Sequence, residues 1–494
     1  MAQNIANCPL TVRRPAWDAT RLAPRIVHLG CGAFHRAHQA LYTHHLLEIS
    51  DCDWGICEVS LMSGNGARLI DQLNAQNLLY TVAERGANSS ELKIIGAVKQ
   101  ALHAESDGCD AILQAMTRAE TAIVSLTITE KGYCTAGASG QLDLHNPLIV
   151  QDLAHPAQPV SAIGYLVEAL HLRRQQGVKP FTVLSCDNVR ENGQVAKAAV
   201  LALANARDAG LAQWIAEHVT FPCTMVDRIV PAATEESLQQ IGAQLGVFDP
   251  CAIACEPFRQ WVIEDHFVNG RPQWDRAGAQ FVADVAPFEL MKLRMLNGSH
   301  SFLACLGYLA GYQTIAETID NGAFRQAVLS LMLTEQAPTL AMPADTDLNR
   351  YAAQLIERFS NPSLQHRTRQ IAMDGSQKLP QRLLDPIRQH LATGQPWRHL
   401  ALGVAGWMRY VSGVDEQGRT IEVVDPLLTR LQEIHQQYAE PQQRVRALLG
   451  IRAIFGADLP DNPVFVSAVS NAYQQLLDNG AYAAVAALNQ QGEA

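Results

Sequence analysis

The sequence predicts an α/β fold, in which an N-terminal domain built on a parallel sheet precedes a mostly α-helical C-terminal domain. Up to about residue 285, short apolar runs typical of buried strands alternate with amphipathic helical patterns. Beyond that residue, strand-like runs nearly vanish and helical periodicity continues to the end of the 494-residue chain. We therefore divide the chain into residues 1–285 and 286–494.

The first unit of the N-terminal domain has a glycine-rich turn between a strand and a helix. The apolar run Arg25–Leu29 predicts a buried strand, Gly30-Cys31-Gly32 follows it, and a helix is expected over residues 35–48, before a second strand, Trp54–Val59. In a Rossmann-type unit, such glycines permit a tight turn and let the backbone approach a pyrophosphate at the helix N-terminus. His35 occupies the third glycine position, so helix and strand are not expected to approach as closely there.

The predicted cofactor is NAD rather than NADP. Glu58 lies near the end of the second strand, where a carboxylate accepts hydrogen bonds from an adenosine ribose and repels a 2′-phosphate. The alternative is that Glu58 is an ordinary charge at a strand end. The other cofactor-binding candidates of this unit lie in the first strand and its turn: Ile26, Val27, Leu29, Gly30, Cys31, Gly32, Ala33 and Phe34.

Two later strands end in polar residues. Thr129 follows the predicted strand Thr121–Thr127, and Asn188 follows Phe181–Ser185. Ligands of parallel sheets bind beyond the carboxyl ends of the strands, so both residues are candidate wall residues of a nucleotide site. The alternative is that each merely ends a strand or caps a helix. Residues 135–157 are rich in Gly, Asn and Pro and are predicted to form a loop.

The C-terminal domain begins with a reactive segment, Lys292–His300. Its apolar, proline-free surroundings predict a buried helix that carries the amine of Lys292, the amide of Asn297 and the imidazole of His300. On an α-helix, Asn297 and His300 share a face, and Lys292 lies roughly 140° from Asn297. Burial disfavours a charged lysine and moves its pKa toward the range useful for proton transfer. The alternative is a lysine that reaches solvent beside a hydrogen-bonded core histidine.

Composition excludes several classes of function. A net charge of −10 argues against broad nucleic-acid binding and against anionic membrane surfaces. No stretch reaches the ~18 consecutive apolar residues of a membrane span, and we see no signal peptide. The eleven scattered cysteines are expected to be reduced thiols of a cytoplasmic protein. Cys251 and Cys255 have no matching ligand pair, so we expect no metal.

Several motifs are specific in combination, and with them the chain resembles the polyol-specific long-chain dehydrogenases, the mannitol dehydrogenase family, over nearly its whole length. These motifs are Gly30-Cys31-Gly32, Thr127–Gly132, Ser185–Asn188, Phe221–Pro231 and Lys292-x4-Asn297-x2-His300. The resemblance implies a Rossmann-type N-terminal domain with extensions, a mostly helical C-terminal domain, and metal-independent hydride transfer between NAD and a secondary alcohol. Segments 26–39 and 374–382 resemble most the members that interconvert fructuronate and mannonate; mannitol, tagaturonate or another polyol stays an alternative substrate.

The resemblance also implies a role for individual residues. Lys292 matches the general acid–base of the family, Asn188 and Asn297 match the asparagines that bind the oxyanion, and His300 matches the histidine that holds a substrate hydroxyl. Glu289 matches a carboxylate implicated in proton exit, and Asp227, in the Val-Asp-Arg stretch, is a cofactor-binding candidate. We expect a small-molecule partner and a monomer or small homo-oligomer.

An acid substrate needs a cation at its far end, because an unpaired carboxylate in a closed site is destabilising. Lys378 is the first candidate and Arg367 the second. They lie eleven residues apart, about three helical turns, so one face carries both if the helix is continuous; Gly375 and Pro380 argue against continuity. The alternative is a solvated basic face.

Two rival functions differ in class from a metal-independent dehydrogenase. A non-catalytic sugar-acid sensor needs no general acid, so the complete set of Lys292, Asn188 and Asn297 argues against it. A zinc-dependent polyol dehydrogenase needs closely spaced Cys, His or Glu ligands, and the sequence shows no such set.

Overall fold

The computed structural model describes residues 12–136 and 140–490. The chain divides into two compact units, Met1–Ala286 and Pro287–Ala494. The described residues before the first strand contain a short 3-10 helix, Ala19–Arg21.

The first unit combines strands and helices. Its described strands are β1 Ala23–Leu29, β2 Trp54–Ser60, β3 Tyr80–Arg85, β4 Ser90–Ile95, β5 Val98–His103, β6 Ile123–Leu126, β7 Thr135–Ala136, β8 Gln141–Leu142, β9 Thr182–Ser185, β10 Thr224–Asp227, β11 Ile253–Cys255, β12 Gln260–Glu264 and β13 Gln280–Val282. Its described helices are Ala33–Ala37, Gln39–Ile49, Asn65–Ala75, Gly108–Thr117, Thr129–Gly132, Pro147–Ala154, Ala162–Gln176, Asn192–Arg207, Ala209–His218, Glu235–Leu245 and the 3-10 turn Trp274–Ala277.

A five-stranded parallel sheet organises this unit, with the strand order β5-β2-β1-β6-β9. Apolar side chains of β1 pack into cores on both faces: Val27 and Leu29 belong to one core and Ile26 to another. The chain moves outward from β1 in one direction through β2 and in the other through β6. The strand order therefore reverses at β1 and β6, which in a Rossmann-type sheet is the place where a dinucleotide binds.

Smaller sheets form the extensions of this domain. One has the order β10-β12-β13, a second has the order β11-β3-β4, and β7 pairs with β8. The sheet β10-β12-β13 includes a buried strand, β10, that ends at Asp227.

Two predicted elements of the first unit differ from the structure. The helix expected over residues 35–48 begins at Ala33 and is interrupted at His38, whose φ of −125° and ψ of −87° lie outside the helical region. The loop predicted over residues 135–157 contains the helix Pro147–Ala154; residues 137–139 of it lie outside the described residues. The Oδ1 atom of Asn146 accepts a hydrogen bond from Leu148 N at 3.0 Å, so this Asn-Pro pair starts a helix.

The second unit is helical in its described residues. Its α-helices are Ala286–Met291 (which begins one residue before the unit), Ser299–Leu309, Ile315–Asp320, Gly322–Ser330, Leu348–Phe359, Thr368–Ala372, Gly375–Leu379, Asp385–Thr393, Arg398–Tyr410, Leu428–Gln437, Pro441–Leu449, Arg452–Phe455 and Pro463–Gln490. Three segments are π-helical: Lys292–Gly298, Leu331–Gln336 and Pro380–Leu384. Short 3-10 turns cover Ala337–Thr339 and Pro362–Leu364. None of the described helices combines the length and hydropathy that a membrane span requires.

Candidate functional site

The glycine turn of the first unit lies at the carboxyl end of β1. Gly30 has a φ of 109°, and a Cβ atom on it would lie 2.1 Å from the carbonyl oxygen of Thr127, so only glycine fits there. Gly32 precedes the helix Ala33–Ala37, and a Cβ atom on it would meet nothing nearer than Gly30 O at 3.6 Å. The protein therefore leaves open the space beside this turn, next to the reversal of strand order. Both features fit a dinucleotide pyrophosphate.

A buried polar network holds this turn in place. His28 Nε2 lies 2.8 Å from Thr127 Oγ1, which itself donates to Gly30 O at 2.8 Å. On the other side of the ring, His28 Nδ1 lies 2.8 Å from Ser125 Oγ. Burial lowers the pKa of His28 well below its usual value, so the ring is neutral at pH 7.

His35 occupies the position of the third glycine of the fingerprint, and its ring stacks on that of His28. Its ring lies face to face with His28, with centroids 3.3 Å apart and planes 12° from parallel. Its Nε2 atom lies 2.8 Å from Glu58 Oε1. The predicted loss of close packing between helix and strand is thus offset by a stack of two flat rings.

The prediction that Glu58 contacts a ribose is wrong. Glu58 is fully buried, and in the sheet it lies opposite His28, so its carboxylate faces His35 rather than the surface of the domain. A strand alternates its side chains between two faces, and the face of Glu58 is covered here. The sequence-based reason for NAD rather than NADP is therefore removed.

His28, His35 and Glu58 also lie close enough together to hold a metal ion. Each ring already faces a protein partner, however: His28 uses both nitrogens, and His35 faces Gln39 and Glu58. The group is best described as an internal support of the glycine turn.

The other cofactor candidates of β1 and its turn differ in how far their side chains are exposed. The side chains of Ile26, Val27 and Leu29 are buried in the cores, so they position the turn but offer no side-chain contact to a ligand. Gly30, Gly32, Ala33 and Phe34 are half-buried. Cys31 is buried, and burial raises the pKa of its thiol well above its usual value.

Thr129 and Asn188 follow two neighbouring parallel strands, β6 and β9, and both are exposed. Thr129 has a φ of 61° and begins the short helix Thr129–Gly132. Asp187, next to Asn188, accepts hydrogen bonds from the backbone N–H groups of Thr129 at 2.8 Å and Ile128 at 3.1 Å. The structure thus joins the two predicted wall segments through a residue that sequence reasoning missed.

Asn192 fixes the other side of the Asn188 loop. Its Nδ2 atom donates to Asp187 O at 3.0 Å and to Thr224 O at 2.9 Å, and its Oδ1 atom accepts from Thr224 N. Thr224 begins β10, which ends at the buried Asp227. One fully buried asparagine therefore links the segment that carries Asn188 to the strand that carries Asp227.

In the second unit, the segment that carries Lys292 and Asn297 has a different helical register from the one that the sequence predicted. Both lie in the π-helical segment Lys292–Gly298, not in an α-helix. A π-helix bonds residue i to residue i+5, so residues five apart lie one turn apart on the same side. The angle of roughly 140° expected from α-helical geometry does not apply. Both side chains are half-buried, as is Glu289, three residues before Lys292.

His300 lies three residues after Asn297, in the first turn of the helix Ser299–Leu309. It is 9% exposed, and no described residue forms a hydrogen bond with its buried Nε2 atom. Its ring packs against Phe359, with centroids 4.6 Å apart, and against His366. Burial first, then the positive charges of neighbours that include His366 and Arg382, hold the pKa of His300 well below its usual value. A neutral imidazole with a free nitrogen suits a substrate hydroxyl.

The two predicted carboxylate-binding cations do not share a helical face. Arg367 is exposed and precedes the helix Thr368–Ala372, whereas Lys378 lies in a separate helix, Gly375–Leu379. Asp374, with a φ of 55°, separates the two helices. Lys378 is half-buried and donates to Ile371 O and Met373 O, and burial and the charge of Arg382 lower its pKa.

Arg382 was not among the carboxylate-binding candidates predicted from the sequence, and the structure places it beside the segment of Lys292. It lies in the π-helical segment Pro380–Leu384, which packs directly on the segment of Lys292. A Cβ atom on Gly298 would lie 2.9 Å from Arg382 O, so glycine permits this close contact. The pattern of a lone arginine in an apolar run, one helical turn after Lys378, was the available signal.

Comparison with known proteins agrees with this geometry. Residues 24–276 match the Mannitol dehydrogenase Rossmann domain, and residues 284–477 match the Mannitol dehydrogenase C-terminal domain. D-mannonate oxidoreductase of Escherichia coli K12 is 71% identical over 484 residues, which are 98% of this chain and 99% of that protein.

Two solved structures cover nearly the whole chain. Mannitol 2-dehydrogenase of Pseudomonas fluorescens, in a ternary complex with NAD and D-mannitol, is 38% identical, has a TM-score of 0.82 and covers 99% of both chains. A substrate-free D-sorbitol dehydrogenase is 34% identical, has a TM-score of 0.90 and covers 97% of this chain and 98% of that one. The protein therefore belongs to the mannitol dehydrogenase family.

Proposed function

We propose that this protein is an NAD-dependent, metal-independent oxidoreductase that interconverts D-fructuronate and D-mannonate. The observation that carries the chemistry is the π-helical turn that aligns Lys292 with Asn297 next to the unpartnered nitrogen of His300. The 71% identity with a D-mannonate oxidoreductase supports the choice of substrate.

The open turn at Gly30 and Gly32 fits the pyrophosphate of NAD, with Thr129, Asn188 and Asp227 on neighbouring segments of the same domain. The mannitol 2-dehydrogenase complex with NAD supports this cofactor. NADH supplies the hydride when it is bound. The residues of the protein provide position, electrostatic stabilisation and the proton.

Reduction of a keto group places negative charge on its oxygen. Preorganised amide donors stabilise such a charge, and this is the role that we assign to Asn297 and Asn188. Lys292 donates a proton to the same oxygen, or removes it in the oxidative direction. His300, kept neutral by its surroundings, holds a neighbouring hydroxyl, and Glu289 passes the proton toward solvent.

The same geometry serves a neutral polyol, so mannitol 2-dehydrogenase activity is the second candidate. It is favoured by the P. fluorescens complex with D-mannitol, at 38% identity. A non-catalytic sugar-acid sensor is the rival from another class, and it would bind fructuronate without oxidising NADH. As part of the same proposal, the protein is cytoplasmic and acts as a monomer or small homo-oligomer.

A substrate panel tests the proposal. NADH oxidation is followed with D-fructuronate, D-tagaturonate and D-fructose, and NAD reduction with D-mannonate and D-mannitol, each with and without exhaustive chelation. We expect the highest kcat/KM with D-fructuronate and no effect of chelation. Equal activity with D-fructose identifies a polyol dehydrogenase instead, and binding without turnover identifies a sensor.

A further inference from the structure

Arg382 is a half-buried cation whose hydrogen-bond partners among the described residues are all uncharged. Its Nη1 atom donates to Asn297 O at 3.3 Å and to Ser301 Oγ at 3.1 Å. Burial lowers its pKa to about 10, and no carboxylate of the described chain offsets that effect. A guanidinium that is partly removed from water and lacks a counterion is destabilising, which favours a bound anion as its partner.

Arg173 shows how this chain satisfies a buried guanidinium for purely structural reasons. Its pKa is also lowered to about 10 by burial, yet its nitrogens donate to backbone carbonyl oxygens all around the group. These acceptors are Met116, Arg118, Thr121 and Lys179. Arg382 differs, because in the described chain only its Nη1 atom has acceptors, and the Nε–Nη2 edge has none.

That free edge has the shape of a carboxylate site. A guanidinium presents parallel N–H donors in a planar fork, which match the two oxygens of a carboxylate. With Nη1 held by Asn297 and Ser301, the fork is oriented in advance rather than free to rotate. Orientation before binding reduces the loss of side-chain entropy on binding.

The surroundings of Arg382 favour an anion for a second reason. The charge of Arg382 lowers the pKa of Lys378, and both cations lower the pKa of His300. Asp374 and Asp425 offset part of this repulsion at Lys378, whereas no described acid offsets it at Arg382. An anionic ligand relieves repulsion between like charges, and a neutral sugar does not.

The position of Arg382 also favours contact with the substrate. Arg382 contacts the backbone of Asn297 itself and Ser301, about one helical turn beyond it. In fructuronate the carboxylate lies at the opposite end of the carbon chain from the carbon next to the keto group. Because Arg382 is anchored to Asn297 and Ser301, it lies within the length of a six-carbon substrate from the oxyanion-binding amide.

We propose that Arg382 binds the carboxylate of the substrate through its Nε–Nη2 edge and thereby sets the preference for a sugar acid over a neutral sugar. This inference rests on the proposed function and names the group that recognises the acid. Arg367 is exposed, and Arg369 forms an ion pair with Glu422, so neither combines partial burial with the lack of an acidic partner. Lys378 adds a single charged contact beside the fork.

The test compares kcat/KM for D-fructuronate and D-fructose in the wild type and in Arg382→Met, Arg382→Lys and the control Arg430→Met. Arg430 is an exposed cation of the same domain that pairs with Glu433, so its loss changes net charge equally. Arg382→Met should lower kcat/KM for fructuronate about 10²- to 10³-fold, mainly through a higher KM. The same variant should change kcat/KM for fructose by less than about threefold. The kcat/KM of Arg382→Lys for fructuronate should lie between those of the wild type and Arg382→Met, because lysine keeps the charge but lacks the planar fork of donors.

A binding measurement repeats the comparison without turnover. Calorimetry with D-mannonate and with its uncharged amide should show that Arg382→Met loses affinity for the acid only. Equal losses for acid and amide, or for fructuronate and fructose, would make Arg382 a structural residue and overturn the inference. If Arg382→Met does not fold, an unchanged acid preference in Arg382→Lys overturns it equally.

The outcomes also separate this inference from the proposed function. A wild type that reduces fructose as well as fructuronate contradicts both. A wild type that prefers fructuronate, together with an Arg382→Met variant that keeps this preference, contradicts only the role of Arg382.

Discussion

The carboxylate of Asp187 accepts a hydrogen bond from the backbone N–H of Thr129 at 2.8 Å. The same carboxylate accepts from Ile128 N at 3.1 Å and from Tyr133 OH at 2.7 Å. It therefore connects the segment after β6 to the loop after β9, which carries Asn188. Because Asn188 is exposed, the precision of its position depends on buried neighbours such as Asp187.

We expect Asp187→Asn to disturb this connection. An amide has one acceptor oxygen, so its NH₂ group must face one of the backbone N–H donors. The free energy of unfolding should fall by about 1–3 kcal/mol, measured by urea denaturation. A displaced Asn188 should also lower kcat, by up to about 10²-fold for a shift near 1 Å. The comparison variant is Tyr133→Phe, which keeps the bond to Thr129; equal kcat in both variants would contradict the role of Asp187.

Lys292 is the proposed general acid–base, and its removal tests that role. Lys292→Ala should fold and bind NADH but lose about 10²–10⁴-fold in kcat, since that is the usual contribution of general acid–base catalysis. NADH binding is measured by quenching of tryptophan fluorescence and turnover by NADH oxidation. Lys179→Ala, at an exposed lysine, is the control and should match the wild type. Near-normal turnover of Lys292→Ala would refute the assignment.

Apolar runs bounded by glycine and polar residues were enough to predict the frame of the first domain. The strands predicted at Arg25–Leu29 and Trp54–Val59 are observed as Ala23–Leu29 and Trp54–Ser60. The sequence also identified Lys292, Asn297 and His300 as candidate site residues. The π-helical register of their segment could not be predicted, because the shift from i+4 to i+5 hydrogen bonds changes no residue type and little of the apolar pattern.

Tertiary contacts account for the predictions that failed. Glu58 has the sequence position of a ribose ligand, but its burial against His35 depends on a stack with His28 that no local pattern reveals. The break that Gly375 and Pro380 suggested between Arg367 and Lys378 is present; it lies at Asp374, whose positive φ separates the two helices. Arg382 becomes informative only when its neighbours show that it lacks an acid.

The corrected position of Glu58 yields a prediction about cofactor choice. Glu58→Gln should leave the ratio of kcat/KM for NADH and NADPH within about twofold of the wild type, because the carboxylate faces His35 rather than a ribose. It should lower the free energy of unfolding by about 1–3 kcal/mol, since the close contact of the buried carboxylate with His35 Nε2, at 2.8 Å, is disrupted. A large shift toward NADPH, with stability unchanged, would restore the original assignment.

Acid should destabilise the first domain through its buried neutral histidines, of which His38 is the clearest. His38 Nε2 donates to Gln260 O at 2.9 Å, and Nδ1 accepts from Gln39 Nε2 at 3.0 Å, so the neutral ring is fully paired. Burial lowers its pKa from 6.5 to about 3. Below pH 6.5 the unfolded chain therefore binds a proton that the folded chain does not, and stability falls with falling pH until the folded pKa is passed.

This histidine alone should lower the free energy of unfolding by about 1.4 kcal/mol per pH unit between pH 6 and 4. The measurement is urea unfolding followed by tryptophan fluorescence, because the buried Trp261 packs against His38 with ring centroids 5.9 Å apart. His38→Gln should be less stable at pH 7, since one paired nitrogen is lost, but its dependence on pH should be shallower by about one proton. His145→Gln, at an exposed position, should keep the wild-type slope. A slope in His38→Gln equal to that of the wild type would show that His38 is protonated in the folded protein.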